Sequence, residues 1–365
     1  MLSFQVKVVF GLVMALIFII DQAHPGDTVN PSVIGIRPQF AYVIIHSRDI
    51  RPMENTYPFC FGLDLKKRYT SRKTWETCNC YPMLGFSLMY WDFNNPEILG
   101  RGFSTLFFVE PFFGFMRKVN LSIRAGFGLA YLSNPYDEDK NPLNLSYSTH
   151  LGFPLLLSIN LNYQLSPKFN INTGISYNHI SNGGVKYPNK GINYPSIILG
   201  LDYYIKPAKY TQFPSTDWRE EATKRKRNDI LLFLASTSLE PNETERYTVF
   251  GLFYNFSCRV GRIDALNTGF EWVLDASLKE KISRDSLGKD YQRGSILIGH
   301  EFLLGQFTFS QQLGIYIYNP YKRNDAVYQR YGLNYFLNKR YIFGFNLKAH
   351  RYIADFIDFR FGISF

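Results

Sequence analysis

The chain ends on an unbroken alternation. Ile357, Phe359, Phe361, Ile363 and Phe365 are apolar, and Asp358, Arg360, Gly362 and Ser364 between them are polar or small. Successive side chains leave a strand on opposite faces, so period two with one apolar face is a strand signature. The pattern recurs along the chain. Leu121, Ile123, Ala125, Phe127, Leu129 and Tyr131 alternate with small and polar residues, as do Phe307, Phe309, Leu313, Ile315 and Ile317. After residue 30 no helical stripe stands out. A soluble sandwich would hide its apolar face and carry charge on the other. Here charged residues are only 19% and aromatics 17%, and the polar face is small, which is the lipid-out, polar-in balance of a transmembrane antiparallel β-barrel. A mean hydropathy of −0.15 with one long apolar run excludes a helical membrane bundle, and the aromatic content excludes disorder.

That run is Val8–Ile20, with Lys7 before it. Thirteen apolar residues are short for a span and suit a signal peptide, here residues 1–23. The chain is then exported. Among Cys60, Cys78, Cys80 and Cys258, the Cys78-Asn79-Cys80 spacing fits no metal motif, and no histidine lies at ligand spacing. A metal site is not expected. Cys60 could bridge to Cys78 or Cys80 in an oxidising compartment.

About sixteen alternating segments follow Pro31. Ser166-Pro167-Lys168, Leu304-Gly305 and Asn338-Lys339-Arg340 read as tight turns at the inner end. Asn134–Tyr147, Asn182–Asn193 and Leu278–Gln292 read as long outer loops, the asymmetry of outer-membrane barrels. Lys66–Thr77 is long on the inner side and breaks the rule. Pro207–Asn228 is polar and carries Lys224-Arg225-Lys226-Arg227. In an exported chain it reads as a solvated linker rather than a nucleic-acid patch. It divides the chain into units at 33–206 and 229–365 that look alike: Leu161-Asn162-Tyr163-Gln164-Leu165 parallels Leu333-Asn334-Tyr335-Phe336-Leu337, and Asn134-Pro135-Tyr136 parallels Asn319-Pro320-Tyr321. Two tandem eight-strand barrels are expected, with one sixteen-strand barrel as the alternative.

Standard hydrolase motifs are absent, including G-x-S-x-G, H-E-x-x-H and a phosphate-binding glycine loop. One segment carries chemistry. His179 and Ser181 lie two apart on a strand and so share a face, where an imidazole can act as base toward a hydroxyl. They continue the apolar phase of Phe169, Ile171, Ile175 and Tyr177, which places both on the lipid-facing surface at a strand's outer end. The loop after them, from Asn182-Gly183-Gly184 to Asn193, is dense in asparagine and glycine.

This segment resembles the lipid A 3-O-deacylase family of outer-membrane barrel enzymes, whose motif is H-x-S-N followed by a loop with Asn-x-Gly and a closing strand, here Pro195–Ile205. The two-unit length resembles the acyloxyacyl hydrolase relatives of Bacteroidetes-type bacteria. The resemblance implies Ser181 as nucleophile, His179 as general base, and Asn182 and Asn189 as amide donors to the oxyanion. Twelve residues after the serine the family has an acid, where this chain has Asn193. An asparagine can still orient a histidine, as in Cys-His-Asn enzymes. The implied function is a cofactor-free serine esterase of the outer membrane that removes a 3-hydroxyacyl chain from lipid A of lipopolysaccharide, with the barrel-assembly machinery as the partner that reads the terminal Phe365 strand. The rival is a non-enzymatic pore, adhesin or structural barrel. The second unit lacks a serine after His350, so it is expected to be degenerate, with His350 as an interfacial aromatic.

Overall fold

The computed structural model describes residues 30–365 apart from 212, 215–225, 240–242, 244, 324 and 352. The expected signal peptide and Lys224-Arg225 therefore lie outside the described residues. The first half comprises β1 (Ser32–Ala41), β2 (Phe59–Arg68), β3 (Met83–Asp92), β4 (Arg101–Glu110), the two-residue β5 (Phe112–Phe113), β6 (Val119–Leu132), β7 (Leu151–Gln164), β8 (Phe169–Ser181) and β9 (Ile192–Tyr204). Every neighbour pair is antiparallel. β1 pairs with β9 and β4 with β6, so eight strands close into a ring. The second half comprises β10 (Lys226–Thr237), β11 (Tyr247–Arg259), β12 (Asp264–Asp275), β13 (Gln292–Leu304), β14 (Phe307–Tyr318), β15 (Val327–Leu337), β16 (Tyr341–His350) and β17 (Ile353–Ser364). β10 pairs with β17, closing a second eight-strand barrel. The fold is thus all-β in two tandem barrels, and the sixteen-strand alternative is set aside. Lys226–Asn228, expected in the linker, belong to β10.

The alternation sorts the side chains as charge and lipid require. Outward residues are open, with Ile175 64% and Ile298 69% exposed, while Arg124 and Arg330 inside are 1% and 0% exposed. Inside the first barrel Arg124 meets Asp64 at 2.7 Å and Glu110 at 2.8 Å, and Lys66 meets Asp202 at 2.8 Å. Inside the second, Arg330 meets Glu271 at 2.7 Å and also Asp358, which holds Arg360 at 2.6 Å. These buried charges meet opposite partners, without which their burial would be prohibitive, while Arg37 is held by the Asn160 and Asn172 amide oxygens and Arg68 by the Tyr81 carbonyl and the Tyr204 hydroxyl. The lumens are filled. A cavity of about 10 Å³ between Asp229, Asn255, Glu301 and Arg360 in the second barrel has room for about one water. At the long-loop end the first barrel is stoppered by an apolar cluster including Trp91, Phe93, Tyr147, Ile180 and Tyr194.

The repeats occupy equivalent places: Leu161–Leu165 ends the sixth strand of the first barrel and Leu333–Leu337 the sixth of the second. Among the described residues two short α-helices, and a 3₁₀ helix at Arg48–Met53, stand where no helical stripe was legible in the sequence. α1 (Arg72–Cys78) occupies the anomalous inner connection, with Trp75 against Tyr81 and Phe115. α2 (Ala276–Arg284) is capped by Asp275, whose side chain accepts from Ser277 N and Leu278 N, and it buries Leu278 and Ile282. A single i, i+4 apolar pair is too brief a stripe to register in the sequence. The cysteine expectation is also corrected. Cys78 and Cys80 form a disulfide with each other, and Cys60 is a buried free thiol. Cys60 lies within β2, while Cys78 ends α1 and Cys80 follows it at the barrel's other end.

Candidate active site

β8 puts His179 and Ser181 in the outward phase. Asn170, Asn172, Ser176, Asn178 and Ile180 are buried between Phe169, Ile171, Ile175 and Tyr177, and His179 and Ser181 continue the outward series half-buried. β9 returns antiparallel with Asn193 directly opposite His179. The register makes the contact: Asn193 Oδ1 lies 2.7 Å from His179 Nδ1.

A residue that sequence reasoning did not single out completes the arrangement. His46, just beyond β1, places Nδ1 3.0 Å from Asn193 Nδ2 and Nε2 3.1 Å from the Lys190 carbonyl. The Lys190 oxygen only accepts, so His46 Nε2 carries the proton. Its Nδ1 then offers a lone pair to the Asn193 amide, although the Ile44 carbonyl also lies 3.3 Å from Nδ1. The alternative tautomer would leave both Nε2 and Asn193 Nδ2 facing a like partner. With Nδ2 turned to His46, Asn193 presents Oδ1 to His179. His179 therefore donates from Nδ1 and keeps the Nε2 lone pair, as a base must. His46 lies 133 positions before His179, a separation no local motif spans.

Among the described residues no hydrogen bond joins His179 to Ser181. Side chains two apart on one strand face stand about 7 Å apart at Cα. The Gly183 N–H donates to Ser181 Oγ at 3.4 Å.

The asparagines of the loop are bonded within it and to its neighbour. Asn182 Nδ2 donates to Ser148 Oγ at 3.1 Å and to the Lys186 carbonyl at 2.6 Å, so its amide hydrogens are engaged. Asn189 Oδ1 accepts from Asn182 N at 2.8 Å. Both residues are buried. These bonds fold the 182–191 loop upon itself. Lys190 N and Gly191 N donate to the carbonyls of Leu145 and Ser146 at 3.0 and 2.8 Å, tying the loop to its neighbour. Lys190 Nζ meets Asp49 at 2.9 Å, and this bond holds the Asp49 carboxyl below its usual range. Gly191, at φ +75°, lies so close that a Cβ there would stand 2.6 Å from His179 Cε1, so the backbone walls the imidazole. Among the described residues no group of three or more His, Cys, Asp or Glu side chains could hold a metal.

His350 departs from its expectation. Its ring is buried, with Nδ1 2.8 Å from Asp355 Oδ2, and stacks on Tyr316. In β16 Ile342, Gly344, Asn346, Lys348 and His350 take the inward phase. The histidine falls one residue away from the position equivalent to His179, and one residue flips the face.

Residues 61–202 match the family described as "Lipid A 3-O-deacylase (PagL)", and residues 226–365 match "Acyloxyacyl hydrolase, C-terminal domain". Among solved structures the chain is similar to the outer membrane enzyme PagL, at 18% identity and a TM-score of 0.35, covering 46% of this chain and 97% of that one. It is similar to Neisserial surface protein A at 13% identity and a TM-score of 0.32, covering 49% of this chain and 99% of that one. No curated protein matches the chain.

Proposed function

The chain belongs to the lipid A 3-O-deacylase family of outer-membrane barrels, with the family's C-terminal domain forming its second half, and from that premise we propose that it is a serine esterase that removes an ester-linked 3-hydroxyacyl chain from lipid A in the outer leaflet. The observation that carries the reading is the hydrogen-bonded run His46, Asn193, His179 on the outward face of the first barrel, two residues from Ser181. An unfilled base beside a hydroxyl on a lipid-facing surface suits a substrate that arrives through the membrane.

In this mechanism His179 Nε2 takes the Ser181 hydroxyl proton as Oγ attacks the ester carbonyl carbon. The oxyanion so formed is met by Gly183 N–H, which lies 3.4 Å from Ser181 Oγ before substrate binds. Collapse breaks the bond to the sugar oxygen, which leaves as the alcohol with the proton from the imidazolium. Water, deprotonated by the same imidazole, then releases the fatty acid and restores Ser181. Asn193 holds the imidazole in its productive tautomer, and His46 holds Asn193. Asn182 and Asn189 shape the loop that aims Gly183. The terminal strand with Phe365 serves recognition by the barrel-assembly machinery, with the long-loop end facing outward.

Mass spectrometry of lipid A from cells expressing the wild type, Ser181→Ala and His179→Ala tests this. Wild type should yield lipid A lighter by one hydroxyacyl group, and both variants should leave it intact while remaining heat-modifiable in the membrane. Deacylation by Ser181→Ala would remove Ser181 as the nucleophile.

A further inference from the structure

The loop that follows the nucleophile is built against the other barrel. Asn182 to Val185 form a β-turn closed by Val185 N–H to the Asn182 carbonyl at 3.3 Å. Its central residues, Gly183 and Gly184, sit at φ +68° and +79°. Two positive angles in succession make a type I′ turn, which glycine adopts freely. One side of the turn faces Phe153 of β7, the residue paired with Ser181. The other faces β17. A Cβ on Gly183 would stand 2.6 Å from Ile357 Cδ1, and one on Gly184 would stand 3.2 Å from the Ala354 carbonyl. Ile357 is correspondingly less exposed than Phe359, Phe361 and Ile363, which continue the same outward face.

The turn is also tethered. Arg246, just before β11, donates from Nη1 to the Val185 carbonyl at 2.7 Å. The same guanidinium donates from Nη2 to the Ser236 carbonyl at 2.8 Å and from Nε to Ser236 Oγ at 3.3 Å. One planar fork thus joins the end of β10 to the last residue of the turn, a geometry that a lysine reproduces only in part. Further along the loop, burial raises the Tyr187 phenol, and the second barrel's Asp355, Arg323 and Arg246 act on it electrostatically.

We propose that the second barrel is a platform for the catalytic loop of the first, and that Arg246 is a positioning residue whose bridge from Ser236 to the Val185 carbonyl fixes the turn that carries the Gly183 N–H. The assignment rests on the esterase reading above. It gives the degenerate second barrel a task. A turn built on two glycines is soft by itself, and the Gly183 N–H must be held to a fraction of an ångström to meet an oxyanion. Val185 is the turn's exit, so a bond to its carbonyl from a closed barrel sets the orientation of both peptide units before it.

The test uses the full chain in detergent micelles, with wild type, Arg246→Ala and Arg246→Lys. A fluorophosphonate probe reads the reactivity of Ser181, and kcat and KM are measured on lipid A. Arg246→Ala should slow labelling and kcat on the order of 10- to 100-fold, the scale of an ångström of misplacement. KM should be unchanged, Arg246→Lys should recover part of the rate, and heat-modifiability should match wild type. Equal labelling of wild type and Arg246→Ala would overturn the assignment alone. So would a loss of rate that appears only together with a loss of heat-modifiability. A wild type that takes no label would sink the esterase reading, and the assignment with it.

Discussion

The Asn193 carboxamide accepts from His179 Nδ1 at 2.7 Å while its nitrogen faces His46 at 3.0 Å. A neutral amide thus orients the His179 imidazole, and its own direction is set by a second histidine. Asn193→Ala should lower kcat about 10²-fold or more with little change in KM, as loss of an orienting partner does. His46→Phe should cost less, about tenfold, because the amide can still find His179 but is no longer held to it. Steady-state kinetics on lipid A checks both, and an unimpaired Asn193→Ala would show that the imidazole needs no orienter.

Gly183→Ala should reduce activity sharply. The residue combines a left-handed backbone with a Cβ site 2.6 Å from Ile357, and such strain costs about 1–3 kcal/mol. Gly288 has nothing within 4 Å of its Cβ site, so Gly288→Ala should leave kcat at the wild-type value. Comparable losses from the two would mean that turn geometry at 183 is irrelevant.

In planar bilayers the protein should conduct very little. Arg124 with Asp64 and Glu110 fills one lumen, and Arg330 with Glu271 and Asp358 fills the other. Large, stable conductance steps would favour the pore reading over the esterase.

Deleting Phe365 should lower the amount of folded protein in the outer membrane without altering the specific activity of what remains. Its backbone exchanges two hydrogen bonds with Asn228, at 3.0 and 2.9 Å, next to the β10–β17 seam that closes the second barrel. Quantitative blotting of membrane fractions reads this, and unchanged levels would count against a role in assembly.

His350→Ala should destabilise the second barrel by about 1–3 kcal/mol, since it strips Asp355 of a 2.8 Å partner. Turnover should stay within a few-fold of wild type, whereas His179→Ala should lose orders of magnitude. Thermal shift of heat-modifiability, run beside the kinetics, separates the two effects.

The sequence by itself determined the class of fold, because lipid imposes period two on every strand and the alternation of Ile357 to Phe365 records it directly. It also determined that His179 and Ser181 share the outward face, since facing is a matter of parity along one strand. The alternation of Tyr341, Phe343, Phe345 and Leu347 likewise puts His350 on the inward face, and the expectation of an interfacial aromatic missed this because it matched His350 to His179 instead of reading that parity. Closure into two rings was decided by pairings between strands far apart, β1 with β9 and β10 with β17. So were the part of His46, 133 positions from His179, the diversion of Asn182 and Asn189 into the loop, and the meeting of Val185 with Arg246 across the two barrels. Those contacts depend on which strands become neighbours and on how a loop folds over them. Local periodicity carries a side chain's face, and only the tertiary structure supplies its partner.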